Sequence, residues 1–225
     1  MSEWLTYSLS DLLLFSPRTY YRLYELYNLA IWPAQLVALA LGAAILALLL
    51  RRGGVREGRA VAAILAACWL WVAWAWFVGR YATINWAAGY FAAAFAIEAL
   101  LLLWTGTVRG RLLFRPGPDA IGRFGVGIFL FALAIQPLIG PLLAGRDWTQ
   151  VEVFGVAPDP TAVATLGLLL TATGGAFWGL PIIPLIWCAV GGATLWAMAS
   201  PDAPVLPAAA ALVLLLSAWK TLSRP

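Results

Sequence analysis

Histidine is absent from all 225 residues. That removes bis-histidine haem, the common zinc and copper sites, and imidazole acid–base catalysis. Cysteine occurs twice, at Cys68 and Cys188, each inside an apolar run and neither in a C-x-x-C pair. No disulfide framework or iron–sulfur site follows from them, and isolated thiols of this kind read as small packing residues. Charge is scarce too. Asp, Glu, Lys and Arg make up 11% of the chain, where a soluble domain carries roughly 25%. With no nucleophile–base pair and no metal cluster in sight, the expectation is a protein that is not an enzyme and holds no metal or cofactor.

What fills the chain instead is hydrocarbon. Sixty-three per cent of the residues are hydrophobic, and the mean hydropathy is +0.88. Apolar runs of about 20 residues recur from Ala30 onward, each able to cross a ~30 Å hydrocarbon core. The runs do not alternate, so helices rather than barrel strands are expected to satisfy the backbone there. The fold class is therefore an all-α integral membrane protein.

Seven spans are expected. They run from about Ala30 to Leu50, Ala60 to Gly79, Ala87 to Thr105, Phe124 to Ala144, Thr161 to Phe177, Pro181 to Ala199 and Val205 to Trp219. The fifth and sixth are the weak pair: Gly174-Gly175 and Gly179 join them tightly, and that turn carries no charge. A re-entrant hairpin over 161–199 is the other reading. In the second span Trp69 and Trp76 share one face while Trp71 and Trp74 share another. In the third, Ala88, Ala92, Ala96 and Ala99 form a small-residue face that admits a close neighbour.

Residues 1–29 form a separate interfacial segment ahead of a transmembrane domain over 30–225. Glu3 and Asp11, with no basic residue before Arg18, have the wrong charge order for a cleaved signal peptide. Ser16-Pro17 predicts a helix start. Tyr20, Leu23, Tyr24 and Tyr27 then share a face opposite Arg18, Arg22 and Glu25, the pattern of an amphipathic helix in the membrane interface.

The basic residues set an orientation. Ten of the fourteen (Arg51, Arg52, Arg56, Arg59, Arg109, Arg111, Arg115, Arg123, Lys220 and Arg224) fall in loops on one side of a seven-span path. Arg18, Arg22, Arg80 and Arg146 fall on the other. The positive-inside rule then puts the N-terminus outside and the C-terminus in the cytoplasm. The net charge of +4 is accounted for by that bias, and no nucleic-acid partner is expected.

Polar groups within the spans mark the candidate site. Glu98 lies about 11 residues, or ~16 Å, below the outer end of its helix, where an intramembrane acid is costly. Gln35 and Gln136 lie in the outer halves of their helices, Arg80 and Asn85 cap the same side, and Pro33, Pro137 and Pro141 loosen the backbone there. Together these predict a cavity opening outward and ending near Glu98. Asp159-Pro160-Thr161 reads as a helix start with Asp159 as N-cap. Lys220 sits at the end of the last span rather than at mid-depth, which excludes a retinal Schiff base.

The stretch from Trp4 to Asp11, R-Y-A-T-I-N-W at 80–86 and F-G-V-A-P-D-P-T at 154–161 resemble, with the chain's whole length, a bacterial family of uncharacterised multi-pass membrane proteins. Its members are sometimes labelled permeases. The resemblance implies a multi-pass protein of the bacterial cytoplasmic (inner) membrane and carries over no site residues. Two functional classes fit: a small-solute or ion permease using Glu98, or a non-catalytic accessory subunit of a larger membrane complex. The expected partners are the lipid bilayer and, in the second case, other membrane-protein subunits.

Overall fold

The computed structural model describes residues 15–51, 54–117, 119–173 and 179–222. The Trp4–Asp11 stretch and the Gly174-Gly175 turn lie outside the described residues.

The chain is helical almost throughout. Helix α1 (Pro17–Ala30) begins where expected, with the Ser16 hydroxyl accepting from the Thr19 N–H at 3.2 Å. It meets α2 (Ala34–Leu50) at 85° across Pro33. Next come α3 (Val55–Trp71), which widens into a π-helical stretch at Val72–Val78, and α4 (Ala88–Leu102), which does so at Leu103–Val108. Helix α5 (Ala120–Leu130) continues through a π-helical stretch, Phe131–Ile135, into α6 (Gln136–Leu143). Pro137 has no N–H to give the preceding turn, which is one reason the helix loosens there. Helices α7 (Pro158–Thr171), α8 (Ile182–Ala197) and α9 (Val205–Leu222) complete the bundle. Two short strands, β1 (Leu113–Phe114) and β2 (Ala172–Thr173), pair antiparallel after α4 and α7, a feature the apolar pattern did not predict.

Contacts sort the helix ends into two groups. At one end Arg59 reaches the Val108 carbonyl, Leu113 pairs with Thr173, and Lys220 Nζ donates to the Leu170 carbonyl at 2.8 Å. At the other, Tyr21 bonds Ser200, Arg146 pairs with Asp202, and Asn28 bonds the Thr149 carbonyl. The stretches α3, α4, α5–α6 and α9 run alternately between these ends.

Four of the helical stretches are long and apolar enough to cross a membrane: Val55–Thr83, Ala88–Val108, Ala120–Leu143 and Val205–Leu222. The bent α1–α2 pair would make a fifth. The expected fifth and sixth full spans become shorter helices of 14 and 16 residues. The reason is the segment before α7. Instead of lying outside the bundle, residues 151–157 fold into it. Phe154 is fully buried. A Cβ on Gly155 would lie 3.0 Å from Cys68 Sγ and 3.2 Å from the Ala38 methyl. Cys68 is ten residues, or ~15 Å, from the Val78 end of its helix, so α7 starts deep inside and needs few turns to reach the other end.

α7 is the axis of the fold. Thirteen of its 14 residues are buried, and it packs against α5, α8 and α9. It crosses α5 backbone to backbone: a Cβ on Gly125 would lie 2.7 Å from the Gly167 carbonyl oxygen. The tryptophans of α3 divide as the helical phase requires. Trp69 and Trp76 are buried, and Trp71 and Trp74 are exposed.

Candidate functional site

The site is built around the head of α7. Gly155 takes φ +80°, a left-handed conformation that glycine adopts without a Cβ clash. Its N–H donates to the Thr161 hydroxyl at 2.9 Å, and that hydroxyl donates to the Ala157 carbonyl at 2.6 Å. The helix therefore starts at Pro158 with Ala157 as its cap, and Asp159 falls in the first turn rather than at the cap. Its carboxylate accepts from Trp187 Nε1 of α8 at 2.8 Å. Gly191 of α8 leaves it room, since a Cβ there would lie 3.3 Å from Asp159 Oδ1.

Arg146 comes from the end of α6. Gly145 at φ +61° turns the chain back, so that the Arg146 N–H bonds the Gly140 carbonyl at 3.2 Å, a common way for a helix to stop. The guanidinium then folds over Gly140, whose hydrogen is the only substituent that fits: a Cβ would lie 2.8 Å from Cζ. It stacks on the Tyr21 ring at 4.6 Å, pairs with Asp202 and lies 3.5 Å from Glu152. Asp202 also accepts from the Ser200 hydroxyl, and Glu152 from the Tyr24 hydroxyl at 3.4 Å.

These groups are inside the protein. The side chains of Arg146, Glu152 and Asp202 are 8%, 11% and 12% exposed, and Asp159 is 3% exposed. Among the described residues Arg146 is the one cation that pairs with them, so three acids share a single guanidinium. Two like charges in a dry site favour retention of a proton. Burial, and then the neighbouring Asp159 carboxylate, push the Glu152 carboxyl well above its ordinary range, against the opposing pull of Arg146. Beside the cluster lies a cavity of about 20 Å³, bordered by Gln136, Arg146, Glu152, Asp159 and Asp202. That is room for one water or small cation. Two buried polar atoms at it, Gln136 Oε1 and Arg146 Nε, have no hydrogen-bond partner among the described residues. Among the described residues no group of three or more Asp, Glu or Cys is placed to hold a metal ion.

The five residues singled out from the sequence are distributed differently. Only Gln136 borders this cavity. Gln35 donates to the Asn28 carbonyl at 2.8 Å, and Asn28 in turn bonds the carbonyls of Thr149 and Val151, so Gln35 braces the inward-folded loop. Asn85 bonds the Tyr81 hydroxyl and the Ala87 N–H, the work of a turn residue. Arg80 is half-buried and precedes the Tyr81–Thr83 turn. Glu98 is fully buried on α4, and neither of its carboxyl oxygens has a partner among the described residues. The sequence reading missed Glu152 and Asp202 as site residues because both lie in stretches that looked like outer loops. A usable signal was present: Val151, Val153, Phe154 and Val156 make that loop too apolar for a solvated one.

No curated protein matches the chain, and no solved structure does either. A family model does: residues 18–224 match a family of unknown function, DUF6064.

Proposed function

The chain belongs to that family of unknown function, and we propose from its geometry that it is a multi-pass membrane permease whose buried acid cluster takes up and releases a proton or a small cation. One observation carries the reading. A short helix of 14 residues begins inside the bundle with Asp159 in its first turn, against Glu152, Asp202 and a single arginine. Irregular backbone at membrane depth is tolerated where protein buries it or where it lines a cavity. Helices broken at mid-depth with buried ionisable groups at the break mark ion and proton sites in transporters. The apolar helices and the alternating path support seven passages, α7 and α8 being short ones shielded by their neighbours. The cluster, which opens beside the aromatic α1 end, takes the place of Glu98 as the floor of the cavity. Glu98 remains a second buried acid within the same bundle.

Flux into sealed vesicles tests this. Purified protein in liposomes, loaded with a pH dye or with sodium or potassium indicators, is driven by an imposed membrane potential. Wild-type protein is expected to carry protons or one of these cations above protein-free vesicles, and Asp159→Asn to reduce that flux at least tenfold. Flux equal to empty vesicles for all three ions sinks the proposal, as does full flux in Asp159→Asn.

A further inference from the structure

On the surface of the bundle α5–α6 and α9 part company. Between them lies a groove of about 980 Å³ whose wall is almost entirely apolar, with Phe124, Gly127 and Phe131 on one side and Ala208, Ala209 and Leu212 on the other. These two helices are also the least covered by protein, with 22% and 17% of their apolar windows buried. One charged side chain borders the groove, Arg123, near the start of α5. It is exposed there, at the end of the molecule that gathers most of the basic loops.

We infer that this groove is a binding site for one anionic phospholipid, its phosphate at Arg123 and an acyl chain laid along α5 toward Phe131. The charge selects the occupant. A helix of a partner or of a second copy has no need of a cation at the groove's end, whereas a lipid chain ends in a phosphate at the depth where Arg123 stands. The reach agrees as well. Arg123 to Phe131 is eight residues, or ~12 Å of helix, close to the depth of one leaflet of a ~30 Å core. Anionic headgroups are attracted to basic side chains at the membrane surface. The inference rests on the membrane-spanning part of the proposed function and not on the acid cluster.

The experiment uses full-length protein stripped of lipid in detergent and given phosphatidylglycerol or phosphatidylcholine, with bound lipid counted by native mass spectrometry. Wild-type protein is expected to retain one phosphatidylglycerol in preference to phosphatidylcholine. Arg123→Gln lowers that preference by about fivefold, the worth of one basic residue at such a headgroup. Gly127→Leu obstructs the acyl path between Phe124 and Phe131 and abolishes retention. A Cβ at Gly127 meets nothing within 4 Å, so this variant tests occupancy without disturbing the fold. Asp159→Asn retains the lipid, which separates failure here from failure at the cluster. Equal retention of both lipids, an unchanged preference in Arg123→Gln, or retention by Gly127→Leu overturns the inference. So does a wild-type dimer that Gly127→Leu converts to monomer, since a second copy would then be the occupant.

Discussion

At the scale of single residues, Glu152 is the informative titrating group. It faces Asp159 from α7, Arg146 from the end of α6 and Tyr24 from α1. Burial and the neighbouring Asp159 carboxylate hold it in the folded protein well above its ordinary 4.5. An acid raised in this way binds its proton more tightly folded than unfolded, so stability falls as pH rises above the ordinary value. The contribution is fully present below about 4.5 and is lost as pH rises through the raised folded value. Thermal unfolding in detergent from pH 5 to 9 is therefore expected to show a falling midpoint for wild-type protein. Glu152→Gln, which stays neutral throughout, flattens that fall. Parallel slopes for the two proteins would show that Glu152 is already ionised in the folded state. The same geometry explains why Arg146 is buried at all. Removing one partner from a buried ionic group leaves the other charge uncompensated, and here Asp202 and Glu152 would both lose their cation.

At the scale of elements, the short α7 decides the design. Because α7 is buried on nearly every side, its neighbours need glycines where they touch it, and the Gly125–Gly167 crossing is the tightest. Gly125→Ala would put a methyl carbon 2.7 Å from the Gly167 carbonyl oxygen. Backbone cannot swing aside as a flexible side chain can, so α5 and α7 must separate, at a cost of about 1–3 kcal/mol. Gly127, two residues along and facing outward, meets nothing within 4 Å, and Gly127→Ala is expected to leave stability unchanged or slightly raised. Equal unfolding midpoints for the two variants would contradict the crossing. This contrast also shows what the sequence made legible. Helical phase paired Trp69 with Trp76 and Trp71 with Trp74, without saying which pair is buried, and residue type gave the Ser16 cap. Of the small-residue face, Ala88, Ala92 and Ala99 are buried and Ala96 is half-buried. Gln136, expected to line a cavity ending near Glu98, borders the cavity at the acid cluster instead. Hydrophobic length did not reveal that α7 begins inside, since a run from 161 to 177 looks the same whether it spans or starts halfway. Nor did it show that Arg146 and Glu152, both from the α6–α7 connection, converge with Asp202 from the α8–α9 connection. Their pairings cross up to 56 positions of sequence, and no local pattern carries such information.

At the scale of the whole molecule, orientation follows from how charge is divided between the two ends. One end collects Arg56, Arg59, Arg109 and Lys220, and the other holds the single buried Arg146 with its acids. If the positive-inside rule applies, the acid cluster faces out of the cytoplasm and α9 ends within it. Single introduced cysteines can read this, because the native Cys68 and Cys188 are both buried and stay silent to an impermeant maleimide. Trp86→Cys and Trp148→Cys, both at exposed positions beside the cluster end, are expected to label in intact cells. Arg56→Cys and Thr221→Cys are expected to label only once the membrane is opened. Thr221 reports the side on which α9 ends but not how α7 and α8 pass. In the seven-passage reading an odd number of passages places residue 221 opposite Trp86. If α7 and α8 together merely dipped in and returned, that pair would add two turns and no crossing, and the side of residue 221 would be unchanged. Trp148→Cys and Lys220→Cys do not separate these cases, but Gly179→Cys does. Gly179 is half-buried and precedes α8; its neighbour Leu180 is 1% exposed and would be silent from packing alone. Full passage of α7 puts Gly179 with Arg56, whereas a dip that turns within the bundle keeps it out of reach of the reagent from either side. Labelling of Gly179→Cys in opened membranes, matched by Arg56→Cys, would establish α7 as a complete passage despite its 14 residues.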